Sequence, residues 1–80
     1  MNKFAILLRQ LRESKKLSQR RLSEHLGLSP MMVRDYENGS KLPKTRTTVK
    51  IANFFLLPYS ELENTIYMSK WHTKKHIITK

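Results

Sequence analysis

The sequence predicts an all-α domain built from five short helices. Three observations predict it. Apolar residues recur at helical rather than alternating spacing, Gly and Pro fall where they cut the chain into pieces of helical length, and Ser stands ahead of several pieces as a cap. No segment before residue 65 alternates as a strand.

Phe4, Leu7, Leu8 and Leu11 place helix one at about residues 3–15, ending at Lys15 and Lys16, cations that suit a helix C-terminus. Ser18 is a good N-cap for helix two, in which Leu22 and Leu26 lie one turn apart and Gly27 follows as a left-handed stop. Ser29 and Pro30 repeat the start signal, an N-cap and then Pro at the first helical position. Val33 and Tyr36 face inward from helix three, which Gly39 ends after Asn38. Val49, Ile51, Ala52 and Phe55 carry helix four to about Leu57. Pro58 breaks it, and Ser60 is the expected cap of a fifth helix bearing Leu62 and Ile66.

At 80 residues one domain is expected, and 39% hydrophobic content allows one small core. We place one helical domain at 1–64, with its second and third helices at 18–38, and a basic, apolar extension at 65–80. Sixteen Lys and Arg against 6 Asp and Glu give +10. That charge suits a polyanion, nucleic acid first and an anionic membrane surface second. Cys is absent, which excludes disulfides and thiolate metal sites. No apolar run approaches the ~18 residues of a membrane span. Phe4 to Leu8 is too short for a signal-peptide core, and Arg9 follows at once, so the reducing cytoplasm is the expected compartment.

Helices two and three are joined by Gly27-Leu28-Ser29, and a short Gly-containing turn between two such helices is the helix-turn-helix signature. Here residues 4–62 resemble the Cro and phage-repressor class of helix-turn-helix proteins, the XRE type. The resemblance lies in LRQLRESKKLSQRRLSEHLGLS, VRDYENGSKLP and VKIANFFLLPYSEL. Its specific parts are Leu17-Ser18-Gln19, Leu22, Gly27, Glu37-Asn38-Gly39, Pro43 and Ile51-Ala52.

The resemblance implies a compact, lambda-repressor-like bundle of five helices that docks helix three in the DNA major groove, with a bacterial, phage or plasmid origin. It implies that Ser18 and Gln19, at the start of helix two, meet a backbone phosphate. It also implies that Arg12 and Glu37 tie helix one to the end of helix three, and that Asn38 and the loop after it hold phosphate. Three departures stand out. Arg20 and Arg21 replace the usual acids after the Gln, where they oppose the helix dipole with no local compensation evident and become phosphate candidates. Ser23 takes a position commonly Ala. Leu56 stands where Gly is common, which leaves the 56–59 turn geometry open.

With Val33 at the centre of the buried face and ~100° per residue, Tyr36 falls beside it. Met31 and Asp35 fall opposite, with Arg34 and Asn38 on the flank. The resemblance agrees on Pro30, Met31 and Asp35 as base-facing. Arg34 has the donors for guanine O6 and N7, or for a phosphate; Asp35 accepts only, so cytosine N4 or a neighbouring cation is its target; Met31 suits a thymine methyl. Lys41, Lys44 and Arg46 in the loop 40–46 are phosphate candidates, while Thr45, Thr47 and Thr48 either aid them or cap helix four.

Leu62, Ile66, Tyr67 and Trp71 are the dimer candidates, with packing on their own core the competing reading for Leu62 and Ile66. The tail after about residue 68 is open between a strand pairing across a dimer and a disordered segment that touches DNA. His72 and His76 share i, i+4 spacing but lack further ligands, so no metal is expected, and neither a catalytic constellation nor a cofactor is evident.

The leading functional reading is a DNA-binding transcriptional regulator acting as a homodimer on a two-fold operator, repressing by occlusion of polymerase. The alternative is an antitoxin-like protein whose main partner is another protein and whose DNA binding serves autoregulation. A membrane-surface binder is disfavoured, because the apolar stripes are needed for the core.

Overall fold

A computed structural model describes residues 2–78, with side chains through residue 70. The elements are α1 (Lys3–Ser14), α2 (Gln19–Leu26), α3 (Pro30–Glu37), α4 (Thr45–Phe55) and α5 (Tyr59–Ile78), and no strand occurs among the described residues. The all-α expectation holds. None of the described helices is long and apolar enough to cross a membrane.

The helix starts follow the expected capping chemistry for α2 and α3. Ser18 Oγ accepts the Arg21 N–H at 3.0 Å, and Ser29 Oγ accepts the Met32 N–H at 3.2 Å with Pro30 behind it. Asn2, buried, does the same for α1 by accepting the Ala5 N–H at 2.7 Å.

The first four helices end alike. Lys16, Gly27, Gly39 and Leu56 each adopt positive φ, at 57°, 69°, 84° and 57°. In each case two reversed N–H bonds close the end, such as Leu28 N–H to Ser23 O and Leu57 N–H to Ala52 O, both 2.9 Å. Gly27 and Gly39 take this conformation without a Cβ penalty, whereas Lys16 and Leu56 carry one. The turn left open by Leu56 therefore keeps the geometry that glycine favours.

One core holds the helices together: Phe4 and Leu8 of α1, Leu22 and Leu26 of α2, Val33 and Tyr36 of α3, Ile51, Ala52 and Phe55 of α4, and Leu62 and Ile66 of α5. Phe4 meets Tyr36 edge-on at 6.2 Å, joining α1 to α3. Ser23 is fully buried, as a small residue at a tight helix contact must be. Its hydroxyl donates to Arg20 O.

Four expectations need correction. Val49 is exposed, because Thr48, Ile51, Ala52 and Phe55 form the inward stripe of α4. The buried Thr48 hydroxyl is satisfied by Lys44 O at 2.9 Å. Ser60 does not cap α5, which begins one residue earlier; Pro58 O takes the Glu61 and Leu62 N–H groups instead. Leu62 and Ile66, named as dimer candidates, are 1% and 6% exposed and fill the protomer's own core, so they present no surface to a second copy. Finally, α5 runs straight through residue 64, and Ile66 and Ser69 beyond that point are buried. The Trp71, His72 and His76 side chains lie outside the described residues.

Candidate nucleic-acid interface

With Val33, Tyr36 and Glu37 buried and Met32 packed partly against the core, Pro30, Met31 and Arg34 face outward. Met31 is 60% exposed and Arg34 is exposed. Pro30, Met31 and Arg34 share one shallow hollow with Gln19, the first residue of α2. The starts of α2 and α3 therefore open on the same surface. Neither carries an acid in its first turn, so both present the positive end of the helix dipole undiminished.

The far end of α3 is fixed by Glu37, whose side chain is 0% exposed. Arg12 of α1 donates Nε to Oε2 at 2.7 Å and Nη2 to Oε1 at 3.0 Å, and its Nη1 donates to Leu17 O at 2.7 Å. The expected ion pair is thus a two-pronged contact. Its hydrogen bonding to Glu37 holds the Arg12 guanidinium above its ordinary pKa, against the opposing effect of burial. Gln19 Nε2 also donates to Glu37 Oε1, at 3.0 Å, and Arg9 Nε lies 3.6 Å from the same oxygen. An amide nitrogen has two hydrogens, so this bond leaves Gln19 one donor for a phosphate.

After α3 the chain turns at Gly39 and folds back over Asp35. Asp35 O accepts the Ser40 N–H at 3.0 Å and the Lys41 N–H at 3.4 Å. Asn38 Oδ1 accepts both the N–H and the hydroxyl of Ser40, which uses its acceptor and leaves its amide donors. Lys41 Nζ comes to 3.9 Å from Asp35 Oδ2. Of the two partners foreseen for Asp35, a base or a cation, the free protein supplies the cation.

The remaining candidate cations lie on the surface. Arg20 is not without compensation: its Nε is 3.8 Å from Glu24 Oε2, one turn along α2, although both side chains are well exposed and the pair is worth little. Arg21, Lys44 and Arg46 are exposed. Lys44 occupies the N-cap of α4 without a side-chain cap bond, and that helix too lacks an acid in its first turn.

Two residues were not foreseen. Arg9 joins Arg12 around Glu37; the signal available was their i, i+3 spacing, which puts both on one face of α1. Ser69 is fully buried, and its Oγ accepts the Phe4 N–H at 2.9 Å while donating to Thr65 O. It pins the start of α1, and hence the helix that carries Arg12.

Comparison with known proteins identifies the family. A family model described as Helix-turn-helix matches residues 8–62. The ImmF control region 10 kDa protein of Bacillus phage phi105 is 35% identical over 63 residues, covering 79% of this chain and 70% of that protein. The cryptic phage CTXphi transcriptional repressor RstR of Vibrio cholerae is 32% identical over 59 residues, covering 74% of this chain and 53% of that protein. No solved structure gives a significant match. A matched span that takes in the whole of α2, its turn and α3, together with the Arg12–Glu37 clasp behind them, leaves one conclusion: the chain belongs to the Cro and phage-repressor (XRE-type) helix-turn-helix family of DNA-binding transcriptional regulators.

Proposed function

We propose that the protein is a repressor that binds a two-fold operator as a homodimer, with α3 of each copy in the major groove. The observation that carries this reading is the shared surface formed by Pro30, Met31, Arg34 and Gln19 at the starts of α2 and α3. Arg34 donates to guanine O6 and N7, Met31 meets a thymine methyl, and Asp35 accepts from cytosine N4. Ser18, Gln19, Arg20 and Arg21 meet one stretch of backbone phosphate, while Asn38, Lys44 and Arg46 meet another. The relative named a transcriptional repressor supports the sign of regulation. With Leu62 and Ile66 committed to the core, Tyr67, 52% exposed, is the described candidate for a dimer contact, and Trp71 lies outside the described residues.

The test is selection of bound duplexes from random sequence, followed by a binding profile over every single-base variant for the wild type and Arg34→Ala. A two-fold consensus is expected. Arg34→Ala should lose about 1–3 kcal/mol of preference at one base pair per half-site. Uniform weakening across the profile would instead make Arg34 a phosphate ligand.

A further inference from the structure

Asp35 poses an electrostatic problem. A DNA-docking surface is repelled by any carboxylate it carries, and this chain has only 6 acids to place. The other acid of α3, Glu37, is buried and gripped by Arg12. Asp35 is not: its side chain stays 21% exposed, on the helix that carries Met31 and Arg34. The return of the chain at Gly39 places Lys41 against it, with the backbone N–H of Lys41 on Asp35 O at 3.4 Å and its ammonium 3.9 Å from Oδ2.

We propose that Asp35 and Lys41 act together as one reader of a C·G base pair in each half-site, which moves Lys41 from the phosphate contacts to the base contacts. The inference rests on the DNA-binding reading above. An ammonium carries three donors, and at 3.9 Å the carboxylate lies beside the ammonium without a hydrogen bond taking any of them. The pair therefore offers an acceptor with donors beside it. The major-groove edge of C·G shows the complementary order, the cytosine N4 donor followed by the guanine O6 and N7 acceptors. On A·T the acceptor next to the adenine amino group is thymine O4, and beyond it stands a methyl group, so one donor of Lys41 is left unmatched. The cation also offsets the repulsion between Asp35 and the phosphates, which is what allows a carboxylate at this position.

The experiment is the single-base binding profile for the wild type, Lys41→Ala, Asp35→Ala, the double variant and Lys41→Arg, each checked for an unchanged melting curve. Lys41→Ala and Asp35→Ala should flatten the preference at the same C·G pair, on the order of 10- to 100-fold. The double variant should flatten it no further, and Lys41→Arg should retain it. If Lys41→Ala weakens every sequence equally while Asp35→Ala loses preference at one pair, the shared reader is overturned and the DNA-binding reading stands. If the two variants act at different base pairs, the inference is likewise overturned. A wild-type protein that enriches no duplex would overturn both readings.

Discussion

Arg12 holds Glu37 with two parallel hydrogen bonds, Nε to Oε2 at 2.7 Å and Nη2 to Oε1 at 3.0 Å, at a point where Glu37 has no exposure to water. Removing the arginine leaves that carboxylate buried with Gln19 as its main remaining donor. Arg12→Ala should cost ~3–5 kcal/mol, the range for breaking a buried pair. In a domain of this size that lowers the melting temperature by about 12–40 °C. Glu37→Gln, which keeps an acceptor for Arg12 or Gln19, should cost less. Melting curves for both single variants and the double variant check the coupling, and strictly additive losses would show that the two residues do not interact.

Gln19 belongs to the same cluster, so its two roles separate in measurement. Gln19→Ala should weaken binding to all duplexes about equally, because a phosphate contact carries no base information. A profile that changes shape at one base pair would make Gln19 a base reader.

The left-handed ends of α1 and α4 are occupied by exposed, non-glycine residues. Leu56, 87% exposed at φ 57°, has little packing to lose. Relief of about 1–2 kcal/mol of strain exceeds the extra chain entropy glycine brings, about 0.4–1 kcal/mol. Leu56→Gly and Lys16→Gly should therefore each raise stability by roughly 0.5–1 kcal/mol. Urea unfolding of each variant checks this, and a loss of stability would show that the side chain packs usefully after all.

How much could be read in advance divides along physical lines. Short-range chemistry was legible: Ser18, Ser29-Pro30 and Gly27 mark their own helix ends because the cap and the capped group are neighbours in sequence. Lys16 and Leu56 take the same geometry without the residue that announces it, so their turns were not legible. The Arg12–Glu37 clasp was legible only through resemblance, since nothing local links residues 25 apart. The Asp35–Lys41 contact depends on the return at Gly39, and the buried Ser69 depends on α1 and α5 meeting; composition had assigned that residue to a basic extension. Ser60 misled because a Ser two residues after a Pro looks like a cap, whereas the backbone of Pro58 already serves α5.

Ser69 also makes a stability prediction. Ser69→Ala removes the acceptor for the buried Phe4 N–H, and a buried donor without a partner costs about 1–3 kcal/mol. Faster hydrogen exchange at the Phe4 amide, together with a lower melting temperature, is the expected signature. Unchanged exchange there would mean that Asn2 alone secures the end of α1.

The charge of the whole chain predicts the salt response. A dimer that neutralises ~6–10 phosphates should lose ~10³–10⁵ in affinity between about 50 and 200 mM salt. Titrations across that range check it, and a nearly flat plot of log affinity against log salt would count heavily against DNA as the partner.

The bond between Phe4 and Ser69 spans 65 positions and joins the first helix to the last. Ribosomes deliver the chain from its N-terminus, so the Phe4 N–H waits for its acceptor until Ser69 has been made. Ser69 then fastens the first turn of a helix that Phe4 and Arg12 already join to α3. A fragment released early by interrupted translation, with α2, α3 and α4 all present, lacks that anchorage. Such a fragment keeps α2 and α3 but leaves the Phe4 N–H without its acceptor, so the full fastening of the first helix belongs to finished chains.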